Sequence, residues 1–227
     1  MIVSHKHRFI FIKTEKTAGT SMEIALSRYC GPDDIITPIS PGDEDKRRTL
    51  GYRGPQNYRI PLAKYSKRDL LNAAYTRKRL TFYNHASAAY VMKYLDREVW
   101  RSYFKFCFER NPWDKVVSMY YWLHKTEPRP TISEYVQSRK ANLIKGFGLY
   151  TIHSDIVVDE VYRYEELDRA MQEIGARLKL GEAPVLPRAK GGHRKDRRSY
   201  RDILSAADRD KIARVYAREI ACFGYEW

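Results

Sequence analysis

Apolar residues come in short bursts separated by turn formers, and the periods alternate between strand-like and helix-like. Phe9-Ile10-Phe11-Ile12, between Arg8 and Lys13, is a continuous apolar run of the kind a strand buried on both faces shows. A small-residue loop, Thr14 to Ser21, follows it. Met22, Ala25, Leu26 and Tyr29 then fall at helical spacing, and Gly31-Pro32 ends the pattern. Thr20 with Glu23 three residues on reads as a capping box, which predicts a helix start at Thr20 or Ser21. Residues 33–79 carry turn formers and weak periodicity, an irregular excursion closing in a short helix over Lys67 to Arg77.

Leu80 to His85 predicts a second strand, and Val91, Tyr94, Leu95 and Glu98 one side of the helix after it. Phe104, Phe106 and Phe108 alternate in a third strand, Tyr103 to Phe108. Asn111 then suits an N-cap, Pro112 a first helical position and Asp114 a capping acid, with Val116, Val117, Tyr120 and Leu123 as the buried face. Ile156 to Val158 and Val161 to Tyr164 read as short strands, and Leu167, Ala170, Met171, Ile174 and Leu178 as a helical stripe. A last helix is capped by Ser205 with Asp208 and carries Ile212, Val215, Tyr216 and Ile220. Strands alternating with helices predict one α/β domain over 1–227, with a mostly parallel central sheet flanked by helices in three layers.

Composition adds limits. Hydrophobic residues at 43% and charged ones at 31% exclude wholesale disorder. The longest apolar runs, Ala88 to Met92 and Met119 to Leu123, fall far short of the ~20 residues of a membrane-spanning helix, and no signal peptide is visible. Cys30, Cys107 and Cys222 form no metal-ligand spacing and point to free thiols in a reducing, cytoplasmic setting. The net charge of +14 favours a polyanionic partner: nucleic acid, acidic lipid, anionic polysaccharide or a multiply phosphorylated small molecule. Residues 188–201 hold seven Lys and Arg against one acid around Gly191-Gly192, a basic loop.

Two places suit anions. Lys16, Thr17, Ala18, Gly19, Thr20 and Ser21 sit between a strand and a helix N-terminus, where unpaired amides and the helix dipole favour phosphate-like groups. The pattern G-x-x-x-x-G-K-[ST] is absent, since the lysine precedes the glycine, and a structural turn with a surface lysine is the competing reading. Arg110 ends the third strand, and Ser118 lies eight residues on along the next helix, a pair suited to a second phosphate. An arginine held by a neighbouring acid and a serine bonded to its own helix is the alternative.

The runs Phe11 to Ser21 and Phe106 to Ser118 resemble the 5′-phosphosulfate loop and the 3′-phosphate segment of sulfotransferases that use 3′-phosphoadenosine 5′-phosphosulfate. Asn84 to Ala88, Arg163 to Leu167 and Phe223 to Trp227 are similar to the bacterial and carbohydrate branch. The resemblance implies a nucleotide-kinase-like, P-loop-related sulfotransferase fold and transfer of a sulfuryl group to an acceptor hydroxyl, of a saccharide by preference. It further implies Lys16 with the amides of Thr17 to Ser21 on the leaving phosphate, Arg110 and Ser118 on the 3′-phosphate, and no metal. His85 is the candidate base, with Glu109 and Glu165 as rivals and a helix-capping histidine as the plain alternative. Lys195, on a possible lid over 188–201, is a candidate donor contact, and residues 33–79 and 124–150 are candidate acceptor walls. A degenerate nucleotide kinase, against which the missing G-x-x-x-x-G-K-[ST] counts, and a non-catalytic nucleic-acid binder using the basic surface and the tyrosines are the competing functions, and nucleic acid is the less favoured partner.

Overall fold

The computed structural model describes residues 1–187, 196 and 198–227. The chain opens with an antiparallel pair, β1 (Ile2–Ser4) and β2 (Phe9–Phe11), with Ile2 opposite Phe11. The first helix, α1 (Gly19–Ser27), leads to β3 (Ile35–Ile36) and α2 (Pro41–Thr49). Then come α3 (Lys67–Thr76), α4 (Ala88–Tyr94), α5 (Arg97–Ser102), β4 (Phe104–Glu109) and α6 (Pro112–Leu123). Next are α7 (Ile132–Gln137), α8 (Phe147–Tyr150), the hairpin β5 (Thr151–Ile152) and β6 (Asp155–Ile156), and β7 (Glu160–Arg163). The chain closes with α9 (Leu167–Arg177), α10 (Tyr200–Ile203), α11 (Ala206–Val215) and α12 (Ala217–Phe223).

The central sheet runs β3-β1-β2-β4-β7. Strand β4 pairs parallel with both β2 and β7, and β1 runs against its two neighbours. Alternation along the strands supplies two cores. Ile2, Phe9, Phe11, Phe106 and Phe108 face Met22 and Leu26 of α1 and Ala170, Met171 and Ile174 of α9. Val3, Ile10 and Cys107 face the other way, toward Val91 and Tyr94 of α4 and Tyr150 of α8. Helices therefore cover both faces, and the central strands have no wet side, which is why their sequences read as near-continuous apolar runs. A third cluster joins α6, α7 and α11 through Val116, Val117, Tyr120, Tyr135 and Ile212.

Several expected elements form differently. Helix α1 starts at Gly19 with Ala18 as a cap that has no side-chain oxygen, so the Thr20–Glu23 capping box does not form. Leu80 to His85 is not a strand: Thr81 makes one isolated bridge to Arg59, and Ile60 and Phe82 exchange backbone bonds with Leu80 and Tyr58. The helix expected after it is two, because Asp96 caps a fresh start by accepting from the amides of Glu98 and Val99. The excursion 33–79 contains β3 and α2 besides the anticipated α3. Ile156 belongs to the β5–β6 hairpin, Leu123 is exposed, and the last helix breaks at Tyr216. The Asn111 cap and the Ser205–Asp208 capping box form as anticipated.

Beneath the end of β4 lies a buried polar cluster. Lys115 Nζ donates to Glu109 Oε1 at 2.5 Å, and Tyr150 donates its hydroxyl to Oε2 at 2.8 Å. Glu109 Oε1 also accepts the amide of Arg110 at 2.9 Å. Gly146 is a glycine for want of room, since a Cβ there would lie 2.3 Å from Lys115 Nζ. Removing one partner of such a pair strands a charge away from water. Lys115→Met is expected to cost about 3–5 kcal/mol in urea unfolding; a loss below about 1 kcal/mol would show that the pair contributes no such constraint.

Candidate active site

The loop between β2 and α1 is shaped by two residues in the left-handed region, Lys16 (φ 63) and Ala18 (φ 58). Left-handed residues in a tight loop are the backbone from which anion-binding nests are built. The first amides of α1 lie outside the helix's own bonding ladder, with no acid in the first turn to meet them. Glu23 is instead turned into the core. It pairs with Lys13 Nζ at 2.5 Å, with the amino group of Met1 and with the hydroxyl of Thr37 at 3.1 Å. Burial alone would push this carboxyl up, but the amino group and Lys13 hold it down to about 2. The Lys13 stem crosses above Gly19 so closely that a Cβ there would stand 2.6 Å from its Cγ. Gly19 thus makes room for a buried lysine, while the left-handed turn falls to Ala18.

Parallel pairing brings the second anion segment to the same edge. Ile12 donates its amide to Phe106 at 3.0 Å, and Thr14 its hydroxyl to Phe108 at 2.5 Å. Arg110 follows directly, ahead of the N-terminus of α6. Its Nε and Nη2 donate to Asp114 Oδ2 at 3.0 and 2.6 Å, and its Nη1 donates to the Lys16 carbonyl at 2.9 Å. The guanidinium lies 4.1 Å from the centre of the Tyr164 ring. The neighbouring acid anticipated as an alternative is therefore present, yet the same arginine also ties β4 to the Lys16 loop. Trp122, one turn beyond Ser118, receives Lys16 Nζ over its ring at 5.4 Å.

His85 comes from a different quarter, the turn before α4, and also holds a left-handed backbone (φ 60). Its Nδ1 lies 3.0 Å from the Lys13 carbonyl. A carbonyl can only accept, so Nδ1 carries the proton and Nε2 keeps its lone pair. Burial, and then the charge of Lys13, lower this imidazole to about 4, leaving it neutral at physiological pH.

A cavity of about 270 Å³ gathers these groups. Lys16, Ala18, Gly19, Thr20, Ser21, His85, Arg110 and Ser118 line it, all named from the sequence. The Thr17 hydroxyl points inward to Thr14 at 2.9 Å, leaving its backbone as what it presents to the loop. Lys195 lies outside the described residues, as does most of 188–201. Of the rival bases, Glu109 is buried against Lys115, and Glu165 accepts the amide of Asn111 at 2.7 Å. None of residues 33–79 lines the cavity. Met119, Trp122 and Tyr164 do, unforeseen; the signal was the spacing of Ser118 and Trp122, which share one helix face. Among the described residues, no group of three His, Cys, Asp or Glu is placed to hold a metal ion.

Residues 1–147 match the profile of the sulfotransferase family. The chain is also 31% identical over 91 residues to an uncharacterized protein of Archaeoglobus fulgidus, a stretch covering 38% of this chain and 76% of that one. No solved structure matches it. Residues 1–147 contain the Lys16 loop, His85, and the Arg110 and Ser118 pair, and the chain belongs to the sulfotransferase family.

Proposed function

We propose that this sulfotransferase takes its sulfuryl group from 3′-phosphoadenosine 5′-phosphosulfate and passes it to an acceptor hydroxyl, on a carbohydrate, by in-line displacement at the cavity edge shared by β2 and β4. The observation carrying this reading is the convergence of Lys16, the α1 N-terminus, His85, Arg110 and Ser118 on one cavity. The fold would then be a relative of P-loop nucleotide kinases whose phosphate loop carries its lysine ahead of the glycine.

The chemistry follows from charge. The acceptor oxygen bonds to sulfur as the bond from sulfur to the bridging oxygen breaks, and that electron pair settles on the leaving 5′-phosphate. Lys16 and the amides from Thr17 to Ser21 are the groups available to meet it, a fixed field that needs no reorganisation. Arg110 and Ser118, with Lys195 from the basic loop, would hold the 3′-phosphate and distinguish this donor from one lacking it. The acceptor proton goes to His85 Nε2, the one ring nitrogen with a lone pair. The low basicity of this imidazole reflects its buried position beside Lys13; a polyanionic donor opposes that field and raises it.

Calorimetric titration with adenosine 3′,5′-bisphosphate is expected to give saturable binding at one site. Absence of heat together with an unshifted melting temperature would count against the donor assignment. Lys16→Ala is expected to lose at least ~100-fold in turnover, read as release of the bisphosphate, as loss of one preorganised donor does elsewhere; near-normal turnover would remove Lys16 from the chemistry. In the free protein the His85 imidazole is expected to titrate near 4 by heteronuclear NMR, charging only as the pH falls through that value. The bisphosphate is expected to move the midpoint upward. A midpoint near the ordinary ~6.5 of histidine in the free protein would contradict the buried, neutral state argued for it.

A further inference from the structure

Helix α3 presents its apolar side to solvent. Leu70, Leu71 and Tyr75 are 48, 72 and 91% exposed. Its inward side is the polar one: Asp69 is turned toward α4, where Lys93 Nζ stands 3.4 Å away, and only Ala73 packs onto the core. At 100° per residue, Leu70, Leu71, Ala74 and Tyr75 occupy one arc opposite Asp69 and Ala73, and Lys67 and Arg68 fall within that same arc. Arg77, Lys78 and Arg79 follow immediately. All five cations are exposed, and none forms an ion pair among the described residues. The helix is held in this orientation by a full capping box between Ser66 and Asp69 and by the contacts of Asp69 and Ala73, so its outward leucines are not an accident of a loose segment.

An exposed apolar stripe rimmed by charge marks a contact surface, and the charge says of what kind. A second copy of the chain docked face to face would set five cations against five, with the one acid of the segment turned away. An acidic polysaccharide would satisfy the cations but leave Leu71 and Tyr75 in water. A bilayer surface with anionic headgroups satisfies both, since a short amphipathic helix lying in the interface buries its apolar arc at the acyl boundary while its cations meet the headgroups. We propose that α3, with the basic run after it, docks the protein on an anionic lipid surface, with Leu71 and Tyr75 as the inserting side chains.

The test is co-sedimentation of the full chain with vesicles of phosphatidylglycerol and phosphatidylcholine in equal parts, against vesicles of phosphatidylcholine alone. Binding to the mixed vesicles is expected to exceed binding to the neutral ones by at least ~10-fold and to weaken with salt. Leu71→Asp combined with Tyr75→Asp is expected to cut it by at least ~10-fold. Melting temperature and bisphosphate binding should not change, because both side chains are already in water and neither lines the cavity. Lys78→Glu combined with Arg79→Glu should weaken binding similarly. Failure to bind the anionic vesicles at low ionic strength would overturn the proposal. So would binding undiminished by the Leu71/Tyr75 variant, which would assign it to the overall charge, or a dimer in solution that the same variant dissociates.

Discussion

The amide of Ile12 on the Phe106 carbonyl and the hydroxyl of Thr14 on the Phe108 carbonyl are the bonds on which the site depends. They carry the parallel pairing of β2 with β4 past the last regular residue of β2, so two carboxyl ends finish level and two helices begin at one edge. Each helix brings a partial positive charge to that edge. Arg110 closes the arrangement by donating to the Lys16 carbonyl, which couples the second loop to the first through the backbone. A slip of one residue in this pairing would separate Arg110 from the Lys16 loop and turn the apolar alternation of both strands inside out.

Nearly every cation behind the edge has its own acid: Lys13 with Glu23, Arg110 with Asp114, Lys115 with Glu109. Two of these pairs are buried, where desolvation offsets most of the Coulombic gain, so net stabilisation is a poor account of them. What they supply is position. Lys13 is locked over Gly19, its carbonyl sets the tautomer of His85, and Glu109 holds the amide of Arg110. Glu15 extends the same logic outward, accepting the Lys145 amide at 2.8 Å while its own amide donates to the Lys145 carbonyl at 3.0 Å. The electropositive groups lining the cavity are then the first amides of α1 and the side chains of Lys16 and Arg110.

Much of this was legible in the sequence because local chemistry and tertiary structure agree. The apolar runs Phe9 to Ile12 and Phe104 to Phe108 form central strands, and Asn111-Pro112 starts α6 by its own cap chemistry. Legibility failed where a residue has two competing uses. Glu23 has the spacing of a capping acid, but the core held a buried lysine and amino group whose demand outweighs one hydrogen bond at a helix end. Leu80 to His85 has strand composition, but its partner, residues 58–60, offers it only one isolated bridge, and β propensity is realised only against partners. Gly19 has an ordinary φ and its lack of a Cβ serves Lys13, a demand that the local sequence does not state.

Helix α3 marks a deeper limit of the same reading. Periodicity states which side chains share a face; it does not state which way the face points. The inference that an apolar stripe turns inward is ordinarily safe because hydrophobic burial outweighs other terms. Here the opposite side carries a capping acid with a cation waiting on α4, and a small Ala73 that lets the helix approach the core closely. Those contacts set the rotation, and the leucines are left outside. A stripe pointing outward costs nothing in the folded state relative to the unfolded chain, since both leave it in water, but it contributes nothing either. The grouping of Leu70, Leu71 and Tyr75 on one short helix is therefore unexplained by folding, and the physical reason for it has to be sought in something the protein touches.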